Sequence, residues 1–257
     1  MTNRIDALFS RFRQAGRKAL IGYLTAGDPT PAASEKVIHA AIAGGVDILE
    51  LGVPFSDPTA DGPIIQAAAQ RALAGGMTVA GALELVRRVR QDAETPVVLF
   101  GYANPFFVYG YEQLCRDAAA AGADGLLVVD LPFEEAGELR ECSKRAGLHF
   151  IPLIAPTTPL KRAAVLLNDA RGFVYYITVT GVTGTRDEVA SDLPVRLQEL
   201  RRITPLPIAV GFGISNGAQA RAAARHADAV VIGSALVKAA VEGTLEGLLG
   251  EIREALG

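Results

Sequence analysis

The sequence predicts a single (β/α)8 barrel of the TIM type, an α/β fold, with an extra helix at its N-terminus. Short apolar, β-branched runs alternate with longer Ala-rich helical stretches from end to end, and eight such runs occur in 257 residues. Strands separated by helices pair in parallel through right-handed crossovers. The length is that of a barrel, typically about 250 residues. A Rossmann-like sheet is the competing arrangement, but the first strand-to-helix turn, Leu24–Pro31, carries no GxGxxG. No linker, low-complexity tract or composition shift divides the chain, so residues 1–257 are expected to form one barrel domain.

The opening stretch, MTNRIDALFSRFRQAGRKA, reads as an Arg-rich amphipathic helix with Ile5, Leu8, Phe9 and Phe12 on one face. A targeting segment of that kind would be acid-poor and Ser-rich, so the helix is assigned to the fold. Strands are expected at Ala19–Thr25, Val46–Leu51, Pro96–Gly101, Asp124–Val129, Leu148–Ile154, Gly172–Thr178, Pro207–Gly211 and Ala229–Gly233. Helical patterns fill the gaps at roughly 32–43, 63–91, 111–121, 134–146, 159–168, 192–203, 216–225 and 234–241. Thr30 before Pro31 reads as an N-cap with proline at the first helical position, and Ser215 as the cap of the next-to-last helix.

Composition narrows the function classes. The chain is 50% hydrophobic and 21% charged, with a net charge of -3. That lacks the basic face a nucleic-acid binder needs to displace counterions. No apolar run approaches the ~20 residues of a membrane span. Cys115 and Cys142 fall in helical stretches and read as reduced packing residues, too few for a zinc site. A cytoplasmic enzyme is the expected class.

In a barrel, chemistry belongs at the C-terminal strand ends and the loops that follow. The second strand alternates with period two, so Ile48 and Glu50 share one face and Leu49 and Leu51 the other. The outer face meets helices and must be apolar, which turns Glu50 into the barrel mouth. Burial there raises a carboxyl pKa towards that of a working acid or base. Eleven residues on, in the long loop GVPFSDPTADGPIIQ, comes Asp61. Asp-Pro and Asp-Gly are ordinary turn formers. The loop, however, starts beside Glu50 and is longer than the connection needs, and two carboxylates in one pocket can split acid and base roles.

Other chemistries fall by elimination. None of Lys18, Lys36, Lys144, Lys161 and Lys238 sits at a strand's C-terminal end, which argues against a Schiff-base aldolase. His39, His149 and His226 lie mid-helix or before strands, so no metal cluster is expected. Glycine-rich turns follow the sixth strand (Thr180 to Thr185), the seventh (Gly211 to Ser215) and the eighth (Gly233 to Ala235). Glycines let backbone N–H groups approach an anion, and a helix N-terminus adds a favourable dipole. Together they predict a phosphate site.

These segments resemble the tryptophan synthase α-chain family. The matching pieces are Tyr23-Leu-Thr-Ala-Gly-Asp-Pro, the stretch from Glu50 to Pro63, Tyr102-Ala-Asn-Pro, Asp130-Leu-Pro, Gly181-Val-Thr-Gly, Gly211-Phe-Gly-Ile-Ser and Gly233-Ser-Ala. They run in family order over nearly the whole chain. The resemblance implies a lyase that cleaves indole-3-glycerol phosphate to indole and D-glyceraldehyde 3-phosphate by a retro-aldol reaction. It implies that Glu50 is the acid/base and that Asp61 holds the indole N–H. Gly184, Gly213, Gly233 and Ser234 would hold phosphate with Phe212 nearby, and Tyr23, Phe100, Tyr102, Leu127 and Tyr175 would line the indole pocket. Thr183 would close over the site on a polar lid running from Val179 to Leu193.

The same resemblance implies a pyridoxal-phosphate-dependent β chain as partner in an α2β2 heterotetramer. Pro54, Asp57, Pro58, Asn104, Phe107 and Asp130 would be contact points, and no cofactor or metal is expected in this chain. Two other readings differ in what they require. Another phosphosugar aldolase or isomerase would need a strand-end Lys, His or metal cluster. A silent regulatory subunit would have lost Glu50 or Asp61, and both are present.

Overall fold

The computed structural model describes residues 2–177, 186–211 and 213–257, and only the backbone of residues 186–192. Helix α1 (Arg4–Ala15) is capped by Asn3, whose side chain accepts from the Ile5 N–H at 2.9 Å. It buries the anticipated face of Ile5, Leu8, Phe9 and Phe12. Then follow β1 (Ala19–Thr25), α2 (Pro31–Ala43) and β2 (Ile48–Gly52). Thr30 caps α2 as expected, accepting from the Ala33 N–H at 3.2 Å.

The expected helix over 63–91 is two helices, α3 (Pro63–Ala74) and α4 (Val79–Asp92). Gly75 and Gly76 interrupt the periodicity, Gly76 at φ +81°, and Thr78 caps α4 through the Gly81 N–H. Next come β3 (Val97–Gly101), a helix outside the expected pattern, α5 (Ala103–Tyr109), then α6 (Tyr111–Ala121) and β4 (Gly125–Val128). Pro105 fits α5 because it stands in the first turn, where N–H groups lack helical acceptors anyway.

After α7 (Gly137–Ala146), the fifth strand appears in two pieces, β5 (His149–Phe150) and β6 (Leu153–Ile154). Then follow α8 (Leu160–Leu167), β7 (Val174–Ile177), α9 (Arg186–Ile203), β8 (Ile208–Gly211), α10 (Gly217–Ala224), β9 (Ala229–Ile232) and α11 (Ser234–Glu242). Helix α9 begins inside the stretch expected to be a lid loop, which is therefore helical from Arg186 onward. Asn216, not Ser215, caps α10, accepting from the Gln219 N–H at 2.9 Å. A last helix, α12 (Leu245–Leu256), extends the expected pattern and buries Leu245, Leu249 and Ile252 at helical spacing.

The strands pair in parallel in the order β5-β4-β3-β2-β1-β9-β8-β7-β6. The two ends of that series are joined by Ile151 and Pro152 alone. Ile151 donates its N–H to the Leu126 carbonyl at 2.8 Å, and the Pro152 carbonyl accepts from the Tyr175 N–H at 2.9 Å. The fifth strand thus serves one neighbour with its first half and the other with its second, closing eight strand positions into a barrel. The interior below the mouth is apolar, with Ile21, Ile48, Val98, Ile151 and Phe173 in one cluster with α1. Phe9 on α1 meets Phe173 at 5.8 Å between centroids, so α1 plugs the N-terminal end.

At that end three aspartates repeat one device. Asp47, Asp124 and Asp228 each stand just before a strand and accept the N–H of a neighbouring strand's residue: Leu20 at 2.8 Å, Val97 at 2.9 Å and Ile208 at 2.9 Å. Each also pairs with an arginine: Arg253, Arg90 and Arg201. The N-terminal end is thereby locked, leaving the C-terminal end to carry function. No helix among the described residues is long and apolar enough to cross a membrane.

Candidate active site

The alternation in β2 is as the sequence requires. Ile48 belongs to the interior cluster, while Leu49 and Leu51 pack in the layer between strands and helices. Glu50 therefore points inward, fully buried, and among the described residues neither carboxyl oxygen has a hydrogen-bond partner. Burial alone pushes its pKa up to about 8. A group so placed is protonated at neutral pH yet close enough to its pKa to change state in a reaction.

Asp61 comes from the β2–α3 loop, where its N–H bonds the Pro58 carbonyl at 3.1 Å and its carbonyl accepts from Gln66 Nε2 at 2.8 Å. Tyr102, just past β3, donates its hydroxyl to Asp61 Oδ2 at 3.0 Å and accepts from the Ala60 N–H at 3.0 Å. Partial burial raises the Asp61 pKa, and the Tyr102 hydrogen bond opposes that rise. Phe55 braces the Tyr102 ring at 5.3 Å between centroids.

Both carboxylates act on the same phenols. Burial holds the Tyr175 hydroxyl well above the usual phenol range, and the negative fields of Glu50 and then Asp61 add to it. The Tyr23 hydroxyl is raised by burial first and by Asp61, with Glu50 contributing less. Tyr23 stands edge-on to Phe100 at 5.1 Å and 78°, and Leu127 is buried on the neighbouring strand. Glu50, Asp61, Tyr23, Phe100, Tyr102, Leu127 and Tyr175 thus come to one mouth.

Gly233 is the N-cap residue of α11, with Ser234 opening the helix. A Cβ built on Gly233 would lie 3.8 Å from Tyr23 Cβ and from Ile65 Cδ1, so this helix N-terminus adjoins the phenol pocket. Gly213 follows β8 at φ +82°, a backbone conformation that favours glycine. Backbone N–H groups at such a helix start favour an anion. Thr183, Gly184 and Phe212 lie outside the described residues.

Of the expected contact residues, Asp57, Asn104, Phe107 and Asp130 are exposed, Pro58 is half-buried and Pro54 is buried. Val108 beside Phe107 was not anticipated, and it is 77% exposed against 66% for Phe107. The sequence reading also missed the grip of Tyr102 on Asp61 and the approach of Ile65, since neither spacing nor residue type signals contacts between separate loops. Among the described residues no group of three His, Cys, Asp or Glu could hold a metal ion. A cavity of about 860 Å³ opens outside the barrel wall between α7 and α8. Arg140, Arg162 and Leu166 line it, with Phe150 in its floor, and neither Glu50 nor Asp61 reaches it.

The sequence matches the family model of the tryptophan synthase alpha chain over residues 9–251. The chain belongs to that family. It is 51% identical to the tryptophan synthase alpha chain of Geobacter sp. (strain M21) over 236 residues, 92% of this chain and 88% of that one. It is 48% identical to the alpha chain of Laribacter hongkongensis over 261 residues, 99% of each. Among solved structures, the alpha subunit from Legionella pneumophila str. Paris superposes with a TM-score of 0.90 at 38% identity, covering 100% of this chain and 99% of that one. Tryptophan synthase of Mycobacterium tuberculosis gives 0.92 at 38% identity, covering 100% and 99%. The tryptophan synthase alpha family cleaves indole-3-glycerol phosphate, so this chain is a lyase of tryptophan biosynthesis on a TIM barrel.

Proposed function

We propose that Glu50 and Asp61 divide the acid–base work of that cleavage, and that the glycine-rich strand ends hold the substrate's phosphate. The observation that carries this reading is Glu50 itself: fully buried, without a partner for either oxygen, and held near pKa 8 in a mouth it shares with Asp61. A structural glutamate would be paired.

The neutral Glu50 acid donates its proton to indole C3. Asp61 accepts a hydrogen bond from the indole N–H, which pushes electron density towards C3 and stabilises the cation so formed. The Glu50 carboxylate then takes the proton of the side-chain hydroxyl. As that C–O becomes C=O, the bond from C3 to the side chain breaks and its electron pair returns to the ring. Indole and the aldehyde leave, and Glu50 is again protonated. No step calls for a metal or a cofactor in this chain. Gly213, Gly233 and Ser234, with Gly184, anchor the phosphate so that C3 and the hydroxyl both face Glu50.

The partner in this reading is a pyridoxal-phosphate-dependent β chain in an α2β2 assembly within the cytoplasm. Phe107 and Val108, exposed on the catalytic face beside Asp57, Asn104 and Asp130, support that docking surface. Indole release from indole-3-glycerol phosphate by the purified chain, against Glu50→Gln and Asp61→Asn, tests the chemistry. Loss of release in both variants supports the roles given. No indole from the native chain, even with a β chain added, would move the reading to another phosphosugar. A Glu50→Gln chain that still activates the β chain would separate catalysis from partnership.

A further inference from the structure

Two groups in the barrel mouth lack the complement that the other supplies. Both Glu50 oxygens are buried acceptors without a donor among the described residues. The Tyr23 hydroxyl, also buried, accepts from Thr25 Oγ1 at 3.4 Å, and no described acceptor takes its own proton. Tyr23 and Glu50 are register partners on adjacent strands, with both side chains turned inward. The phenol leans over Glu50's strand: a Cβ built on Gly52 would fall 2.2 Å from the Tyr23 hydroxyl oxygen. That oxygen therefore occupies the inward position two residues beyond Glu50, the next side-chain site on the same face. The ring is held there by Phe100, by Ile65 and Ala68 of α3, and by Val237 of α11.

We infer that Tyr23 is a positioning residue, donating its hydroxyl proton to the Glu50 carboxylate whenever that carboxylate is ionised. This rests on Glu50 being the acid/base of the proposed mechanism, where the carboxylate exists only between giving its proton to C3 and taking one from the hydroxyl. For the two to meet, Glu50 must turn about its own side-chain bonds. Thr25, by donating to the phenol oxygen, turns the phenol proton away from itself. The other titratable groups facing Glu50 among the described residues are Tyr175 from β7 and Asp61 from the β2–α3 loop. The neighbouring strands β3 and β4 present apolar Val98, Phe100 and Leu127. Asp61, when ionised, cannot stabilise a second anion. Tyr175 also feels the Glu50 charge, but its hydroxyl lies over β8, where a Cβ on Gly211 would meet it at 2.6 Å, and not over Glu50's own strand.

The test is a 13C NMR titration of the Glu50 side-chain carboxyl in the full chain, assigned by loss of its signal in Glu50→Gln. It does not depend on turnover. Tyr23→Phe keeps the ring and removes the donor, so the Glu50 midpoint is expected to rise by about one pH unit. Thr25→Val is expected to raise it by a smaller step. An unchanged midpoint in Tyr23→Phe, or a larger rise in Tyr175→Phe than in Tyr23→Phe, overturns the inference. The alkaline limb of indole release, where Glu50 loses the proton it must give to C3, is expected to move up with the midpoint, whereas structural damage lowers the rate at every pH. A shifted midpoint in a chain that releases no indole would keep the hydrogen bond and remove the proposed mechanism.

Discussion

The Tyr102 hydroxyl donates to Asp61 Oδ2 at 3.0 Å while accepting from the N–H of Ala60, so one side chain past β3 grips two successive residues of the β2–α3 loop. Asp61 has no regular secondary structure to hold it, and this grip aims its carboxylate. Tyr102→Phe keeps the stacking on Phe55 and removes both hydrogen bonds. A hydrogen bond to a charged group is worth roughly 1.5–3 kcal/mol, so kcat/KM for indole release is expected to fall roughly 10–100-fold, and further in Asp61→Asn. Wild-type kcat/KM in Tyr102→Phe would show that the Gln66 contact to the Asp61 carbonyl suffices.

Glu50→Gln is expected to trade activity for stability. Loss of a general acid/base lowers kcat roughly 100–10,000-fold. The folded Glu50 pKa of about 8 lies above the ordinary carboxyl value of 4.5. Between those pH values the folded chain keeps a proton that the unfolded chain has lost, so stability falls as pH rises through that window and stays low above it. Glutamine removes the penalty. Thermal melts should place the variant above wild type at pH 8–9, by roughly 2–4 kcal/mol, with the gap closing below pH 4. An equal gap at pH 4 and pH 9 would refute the linkage.

The parts that were legible in the sequence are those that local periodicity decides. The alternation Ile48-Leu49-Glu50-Leu51 suffices to turn Glu50 inward, because the opposite parity would bury a carboxyl against helices. The face of α1 is legible for the same reason. What escapes is set by contacts between distant segments. Nothing local in Tyr102 announces its hold on Asp61, and it reads as an apolar pocket residue. Nothing in Leu148–Ile154 shows that the strand changes partner at Ile151 and Pro152. Asp124 reads as an ordinary strand-opening residue until Val97, Arg90 and Arg4 converge on it.

Gly52 is small because Tyr23 occupies its side-chain space. A Cβ there would come within 2.5 Å of Tyr23 Cζ, and the ring is packed on α3 and α11 and cannot retreat. Gly52→Ala is therefore expected to destabilise by about 1–3 kcal/mol through overpacking. In a Tyr23→Ala background the same substitution should cost less than 1 kcal/mol, a coupling that a double-mutant cycle in urea measures directly. Additive losses would mean that the strain at Gly52 comes from some other neighbour.

The three aspartates at the opposite end separate stability from catalysis. Their side chains are 3% exposed at Asp124, 15% at Asp47 and 27% at Asp228. Removing one member of a buried pair strands its partner's charge in a poorly solvated place, at roughly 3–5 kcal/mol, whereas an exposed pair contributes at most about 1 kcal/mol. Asp124→Ala leaves the Val97 N–H without its acceptor and the Arg90 charge with only the Gly122, Ala93 and Thr95 carbonyls, so it should cost most, followed by Asp47→Ala and then Asp228→Ala. None of the three lies at a C-terminal strand end, so kcat/KM per folded molecule should stay within about twofold of wild type, given the distance between the two barrel faces. Urea midpoints and active-site-normalised rates check both halves. Equal losses across the three would show that burial does not set the cost, and a large fall in kcat/KM would show that the two barrel ends are coupled.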